Sequence, residues 1–139
     1  MTRTVTLVAG LVLALSTLAE AEHEVYFRYV ILGYITDSRG LPVSGRTVTV
    51  VRDKTGLGYR DETDAQGLYV IVVRLGDESA GETLTVRAGD AITRVTARFD
   101  PTNHQDDRGT RMDLEGAQFT ERAASFRPTL ANVRAAPAR

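Results

Sequence analysis

Gly33-Tyr-Ile-Thr-Asp37-Ser-Arg-Gly40-Leu-Pro42-Val-Ser-Gly45-Arg-Thr-Val48-Thr-Val50, answered by Thr63-Asp64-Ala-Gln-Gly67-Leu-Tyr69, reads as two strand-turn-strand units. Each turn carries an aspartate, whose carboxylate can accept nearby main-chain N–H groups, and a glycine that can take positive φ. Pro42 cannot donate to a sheet ladder and belongs in the connection. After it, Val48 and Val50 alternate with Thr47 and Thr49, the period of a strand with one buried face.

Working outward, strands are predicted at 25–36, 46–52, 57–63, 68–75, 83–88, 91–99 and 110–114, separated by Gly, Pro, Asp and Asn. Gly89-Asp90 has the chemistry of a two-residue hairpin turn. The third strand is polar and suits a sheet edge. No window over 25–114 keeps a helical period. Seven short strands at this spacing predict an all-β, seven-stranded Greek-key sandwich.

The flanks differ from this body. Arg3, an apolar core from Val5 to Leu18, and Ala19-Glu-Ala21 form an export signal over residues 1–21, with cleavage predicted after Ala21. The apolar core is too short for a comfortable membrane span. There is no cysteine, so neither a disulfide nor a lipid anchor on cysteine is available. These features predict a periplasmic or secreted protein. The tail, 115–139, is rich in Ala, Arg and Pro and reads as disordered or as docking on the domain. A short helix fits 118–125, and Pro128 and Pro137 limit anything longer. The chain has 139 residues and a formal charge of -1, which suits one domain and gives no basic stripe for nucleic acid.

The motif Gly33-x-Ile35-x-Asp37-x-x-Gly40-x-Pro42-x-x-Gly45-x-x-Val48-x-Val50, followed by Thr63-Asp64-x-x-Gly67-x-Tyr69, resembles the carboxypeptidase regulatory-like domain. That family is a transthyretin-like (prealbumin-like) β-sandwich. The resemblance spans roughly residues 30–114 and implies a small, non-catalytic accessory module. Asp37, Gly40, Pro42, Gly45, Asp64 and Gly67 then serve as structural turn residues. A hydrolase of the wider superfamily uses paired histidines, an arginine and a C-terminal tetrapeptide beginning with tyrosine. This chain has only His23 and His104 and ends Pro-Ala-Arg, so those roles do not carry over.

Candidate chemistry is sparse. His104, within the polar loop 100–109, is the one histidine a small hydrolase could use. Asp100, Asn103, Asp106 and Asp107 offer hard oxygen donors of the type Ca²⁺ takes, without the EF-hand spacing. Glu22-His23-Glu24 could hold Cu²⁺ or Ni²⁺ weakly. No cofactor is expected. Sugar binding would call on exposed tyrosines among Tyr26, Tyr29, Tyr34 and Tyr59, since there is no tryptophan.

The first and fourth strands are apolar on both faces, where one polar face is expected of an antiparallel sandwich strand. If they share a sheet, Val30, Leu32 and Tyr34 lie near Leu68, Val70 and Val72 as a candidate interaction surface. The tail could cover it, as could a partner, or self-association could bury it. The reading at this point is an exported binding or scaffold module whose partner is an envelope protein or a glycan.

Overall fold

The structure, a computed structural model, describes residues 27–137. The predicted export signal, His23 and Tyr26 lie outside the described residues. Among the described residues are eight strands and one α-helix: β1 (Arg28–Thr36), β2 (Thr47–Arg52), β3 (Gly58–Glu62), β4 (Leu68–Arg74), β5 (Thr83–Ala88), β6 (Ala91–Thr96), β7 (Arg108–Glu115), β8 (Gln118–Glu121) and α1 (Phe126–Ala135). They build two four-stranded sheets, ordered β4-β1-β7-β8 and β3-β2-β5-β6. The architecture is an all-β sandwich. Among the described residues, no helix is long and apolar enough to cross a membrane.

Alternation explains the layers. In the first sheet Tyr29, Ile31, Tyr69, Ile71, Val73, Met112 and Leu114 point inward. In the second, Val48, Val50, Leu84, Val86 and Val95 meet them. Strands with period-two apolar patterns bury one face each, and two such faces make one core. β3, polar as its sequence suggests, lies at the edge of the second sheet. Its Asp61 carboxylate accepts the Val70 N–H of edge strand β4 at 2.9 Å. That contact satisfies a main-chain donor that would otherwise be left without a ladder partner.

The prediction of seven strands is corrected to eight, and a helix over 118–125 is not formed. Gly116 takes φ +64 and closes a tight turn, so Glu115 pairs with Gln118 and β8 runs back along β7. A single 3-10 turn, Ala123–Ser125, leads into α1. Pro128 is accommodated because it falls in the first turn of the helix, where N–H groups have no intrahelical acceptor. The sixth strand also ends earlier than predicted, at Thr96, although Ala97 remains buried and its N–H donates to Glu82 at 2.8 Å.

The two motif turns are copies of one another. In Thr36-Asp37-Ser-Arg-Gly40-Leu41, Asp37 Oδ1 accepts the N–H groups of Arg39 and Leu41 at 2.8 and 3.0 Å. In Thr63-Asp64-Ala-Gln-Gly67-Leu68, Asp64 Oδ1 accepts those of Gln66 and Leu68 at 2.9 and 3.0 Å. In both, the glycine N–H donates to the aspartate carbonyl and the aspartate N–H to the leucine carbonyl. Gly67 is the more confined, because a Cβ there would stand 2.5 Å from the Ile35 oxygen.

Candidate functional site

Val30 stands opposite Val72, Leu32 opposite Val70 and Tyr34 opposite Leu68, so the six apolar residues of strands one and four do form one face. As an open surface, however, that face is corrected. Phe126 and Leu130 of α1 pack on Val30 and Leu32, with Val70 at the margin. Phe126, Thr129 and Leu130 are buried at helical spacing, one stripe facing the sheet. Only Val72 of the six remains exposed, at 43%. Gly109 makes the docking sterically feasible: opposite Val30, it leaves the space in which a Cβ would stand 2.5 Å from the Phe126 ring.

A polar clamp holds the same helix. Asp113, buried among these outer side chains, accepts the Tyr34 N–H at 2.9 Å. It also accepts Arg111 Nε and Nη2 at 3.0 and 2.9 Å and Arg122 Nε at 3.0 Å. Arg111 Nη1 donates to Thr129 Oγ1 of α1 at 3.0 Å, and its guanidinium lies 5.1 Å from the Tyr34 ring centre. Arg122 donates on to Glu115 at 2.7 Å. A carboxylate with this many donors has few lone pairs left for a ligand. The chemistry here is attachment of helix to sheet.

The loop between β6 and β7 is organised by Arg108. Alternation along β7 places Arg108 on the inward face with Thr110, Met112 and Leu114, a signal legible in the sequence although its role was not read there. Its guanidinium lies 4.3 Å from the Phe99 ring centre and donates to Asp77 Oδ1 at 2.9 Å and to the Asn103 carbonyl at 3.0 Å. His104 Nε2 lies 2.8 Å from the other oxygen of Asp77. Partial burial works against ionisation of Asp77, but the hydrogen bonds from Arg108 and His104 outweigh it and hold the carboxyl below its usual range. The result is a histidine–carboxylate pair backed by arginine, joining the 3-10 turn Asp77–Ser79 to the loop.

The loop's oxygen donors are engaged within the chain. Asp100 Oδ1 accepts from the Thr102 hydroxyl and N–H, which holds its carboxyl below the ordinary value. Asn103 Oδ1 accepts the N–H groups of Gln105 and Asp106. Asp107 takes a two-pronged contact from Arg134 of α1 at 2.7 and 3.0 Å, and that contact lowers its pKa. Among the described residues no group of three or more His, Asp or Glu is placed to hold a metal ion. A cleft of about 250 Å³ lies beside this loop, lined by Phe99, Asn103, Asp106, Arg108, Phe126 and Arg127 among others. His104 does not line it.

Among the described residues the tyrosines do not make an exposed coplanar pair. Tyr29 is in the core, Tyr34 lies beside Arg111, and Tyr59 packs partly against the core. What the second sheet does expose is an outer face rich in arginine and threonine, with Glu62 and Ile92 among them. Thr49 is opposite Arg60 on one side and Arg87 on the other, and Thr85 is opposite Arg94.

Among the described residues, fold and surface define a β-sandwich with one outer face packed largely under its own α1 and the other covered by no further element. No protein-family model matches the chain, and no curated protein matches it. Among solved structures, it is similar to the dioxygenase domain of a dioxygenase–carbohydrate-binding protein fusion from the cellulolytic bacterium Streptomyces sp. SirexAA-E. The identity is 12%, the TM-score 0.39, and the match covers 68% of this chain and 75% of that one. A likeness at that level bears on neither activity nor ligand.

Proposed function

We propose that this chain is an exported, non-catalytic binding module of the cell envelope, built on a transthyretin-like sandwich of the carboxypeptidase regulatory-like kind. One observation carries the binding reading. The carboxylates in and around the clefts, Asp77, Asp100, Asp107 and Asp113, are engaged within the chain, whereas the outer face of the second sheet presents guanidinium groups to solvent. Pre-made hydrogen-bond donors on a rigid sheet are suited to holding a partner.

Export is supported by Arg3, the apolar core and Ala19-Glu-Ala21. Intact mass and N-terminal sequencing of envelope fractions test it: the mature chain should begin at Glu22, and a retained Met1 would overturn export.

A second reading, a small hydrolase using His104, is favoured by the 2.8 Å contact between His104 and Asp77, the orienting half of a general-base arrangement. Hydrolysis of activated esters that disappears in His104→Ala would establish it and displace the module reading.

A further inference from the structure

The two outer faces of the sandwich differ in chemistry. That of the first sheet is apolar at Val30 and Leu32 and lies under α1. On the second sheet the outward side chains of Arg60, Arg87, Ile92 and Arg94 are all exposed, and one acid, Glu62 opposite Thr47, shares the face at its edge. Their inward neighbours Val86 and Val95 are buried, so the alternation of the strands fixes which way the arginines point.

The register sets their spacing. Arg60, Thr49 and Arg87 form one row across β3, β2 and β5, so the two arginines stand two strand separations apart, on the order of 10 Å. Arg94 flanks Thr85 in the adjoining row. Among the described residues neither Arg60 nor Arg87 has an ion-pair or hydrogen-bond partner for its side chain. Asp53, the acid nearest Arg94, accepts the Thr85 hydroxyl at 2.6 Å and lies 4.0 Å from the Arg94 guanidinium.

We infer that this face binds an extended, carboxylate-bearing polysaccharide. Guanidinium forks match carboxylates two bonds at a time. Threonine hydroxyls between them both donate and accept, as sugar hydroxyls require. The face is the outer side of a four-stranded sheet, and its apolar outward residues are Ile92 and the half-buried Val51. A protein partner anchored by aromatic or aliphatic side chains would find only Ile92 and Val51 to pack against here. A neutral sugar would leave the arginines unanswered. The inference rests on the binding-module reading and names the ligand class.

Affinity electrophoresis of the full chain through gels containing polygalacturonate, with dextran as the neutral comparison, tests it. The protein should be retarded by polygalacturonate alone, less so as salt rises. The double variant Arg60→Gln/Arg87→Gln should bind about tenfold or more weakly, as loss of two charge-assisted contacts implies. Its thermal melt should match the parent, since both side chains are exposed and unpaired. Arg39→Gln, an exposed arginine outside this face, should bind as the parent does. Absence of retardation overturns the inference, as does a loss in Arg39→Gln equal to that of the double variant. Equal competition by poly-glutamate overturns the glycan in favour of an acidic protein. Release of reducing ends during the titration overturns the non-catalytic reading instead, while the double variant still reports on the face.

Discussion

Tyr69 donates its hydroxyl hydrogen to the main-chain oxygen of Met112 across 2.7 Å, spanning β1 at Gly33, the residue opposite it in the register. The parallel ladder between β1 and β7 is interrupted here, passing from Leu32–Arg111 to Ile35–Leu114. In the gap, the Met112 carbonyl turns to where a Cβ of Gly33 would stand, 1.8 Å away, and the Asp113 carboxylate takes the Tyr34 N–H. Side chains thus satisfy the main-chain groups that the ladder releases.

Tyr69→Phe should therefore leave a buried carbonyl without its donor and cost about 1–3 kcal/mol. Gly33→Ala should cost more, because main chain must move to admit a methyl group. Urea unfolding of both variants checks the order. A Gly33→Ala protein as stable as the parent would refute the close approach.

The same tyrosine predicts alkaline behaviour. Burial raises the Tyr69 pKa strongly, and burial pushes that of Tyr29 up to about 12, from an ordinary value of 10.0. Above pH 10 the unfolded chain loses these protons while the folded chain keeps them. Stability is thus fully present below about pH 10 and falls as pH rises beyond it, by at most about 1.4 kcal/mol per pH unit for each tyrosine. Tyr69→Phe should fall less steeply, which unfolding titrations with phenolate absorbance can read.

In acid the sign reverses. Arg52 donates to Glu82 at 2.7 Å with both side chains largely shielded, and this contact holds the Glu82 carboxyl below its ordinary value of 4.5. Its stabilisation is present above that value and is lost as pH falls through the lower, folded one. Glu82→Gln should be less stable than the parent at neutral pH, and the gap should narrow as the solution is acidified. A gap independent of pH would show that the charge contributes nothing.

Gly40 and Gly67 occupy equivalent places in the two copied turns, at φ +82 and +80. Alanine at Gly40 meets open space and should cost about 1 kcal/mol through backbone strain alone. Alanine at Gly67 meets the Ile35 oxygen as well and should cost about 3 kcal/mol. Equal melting temperatures for the two variants would contradict this difference.

Removal of α1 should uncover Val30, Leu32 and Val70. A chain ending at Glu121 should bind a hydrophobic dye or self-associate while keeping its β-sheet circular dichroism. In the full-length chain, Phe126→Ala/Leu130→Ala should do the same in weaker form. A dye-silent monomer from both would mean that the helix does not seal this face.

Seven of the eight strands, the two aspartate–glycine turns and the inward residues of those strands were legible in the chain, because period-two alternation and turn chemistry are local properties of a few neighbouring residues. The sequence by itself also determined that the first and fourth strands have two apolar faces, without saying what covers them. Only the tertiary structure decided that. Phe126 and Leu130 reach Val30 and Leu32 from nearly a hundred positions away, through space that Gly109 leaves open, and no local pattern encodes such a meeting. The eighth strand was likewise hidden, since Gln118–Glu121 is short and becomes a strand by pairing with β7 beyond the Gly116 turn. Arg60 and Arg87 are 27 positions apart in the chain, and the register through Thr49 makes them neighbours on one face. Contacts at such separations depend on strand order and register, which follow from the packing of the whole core and not from any one segment.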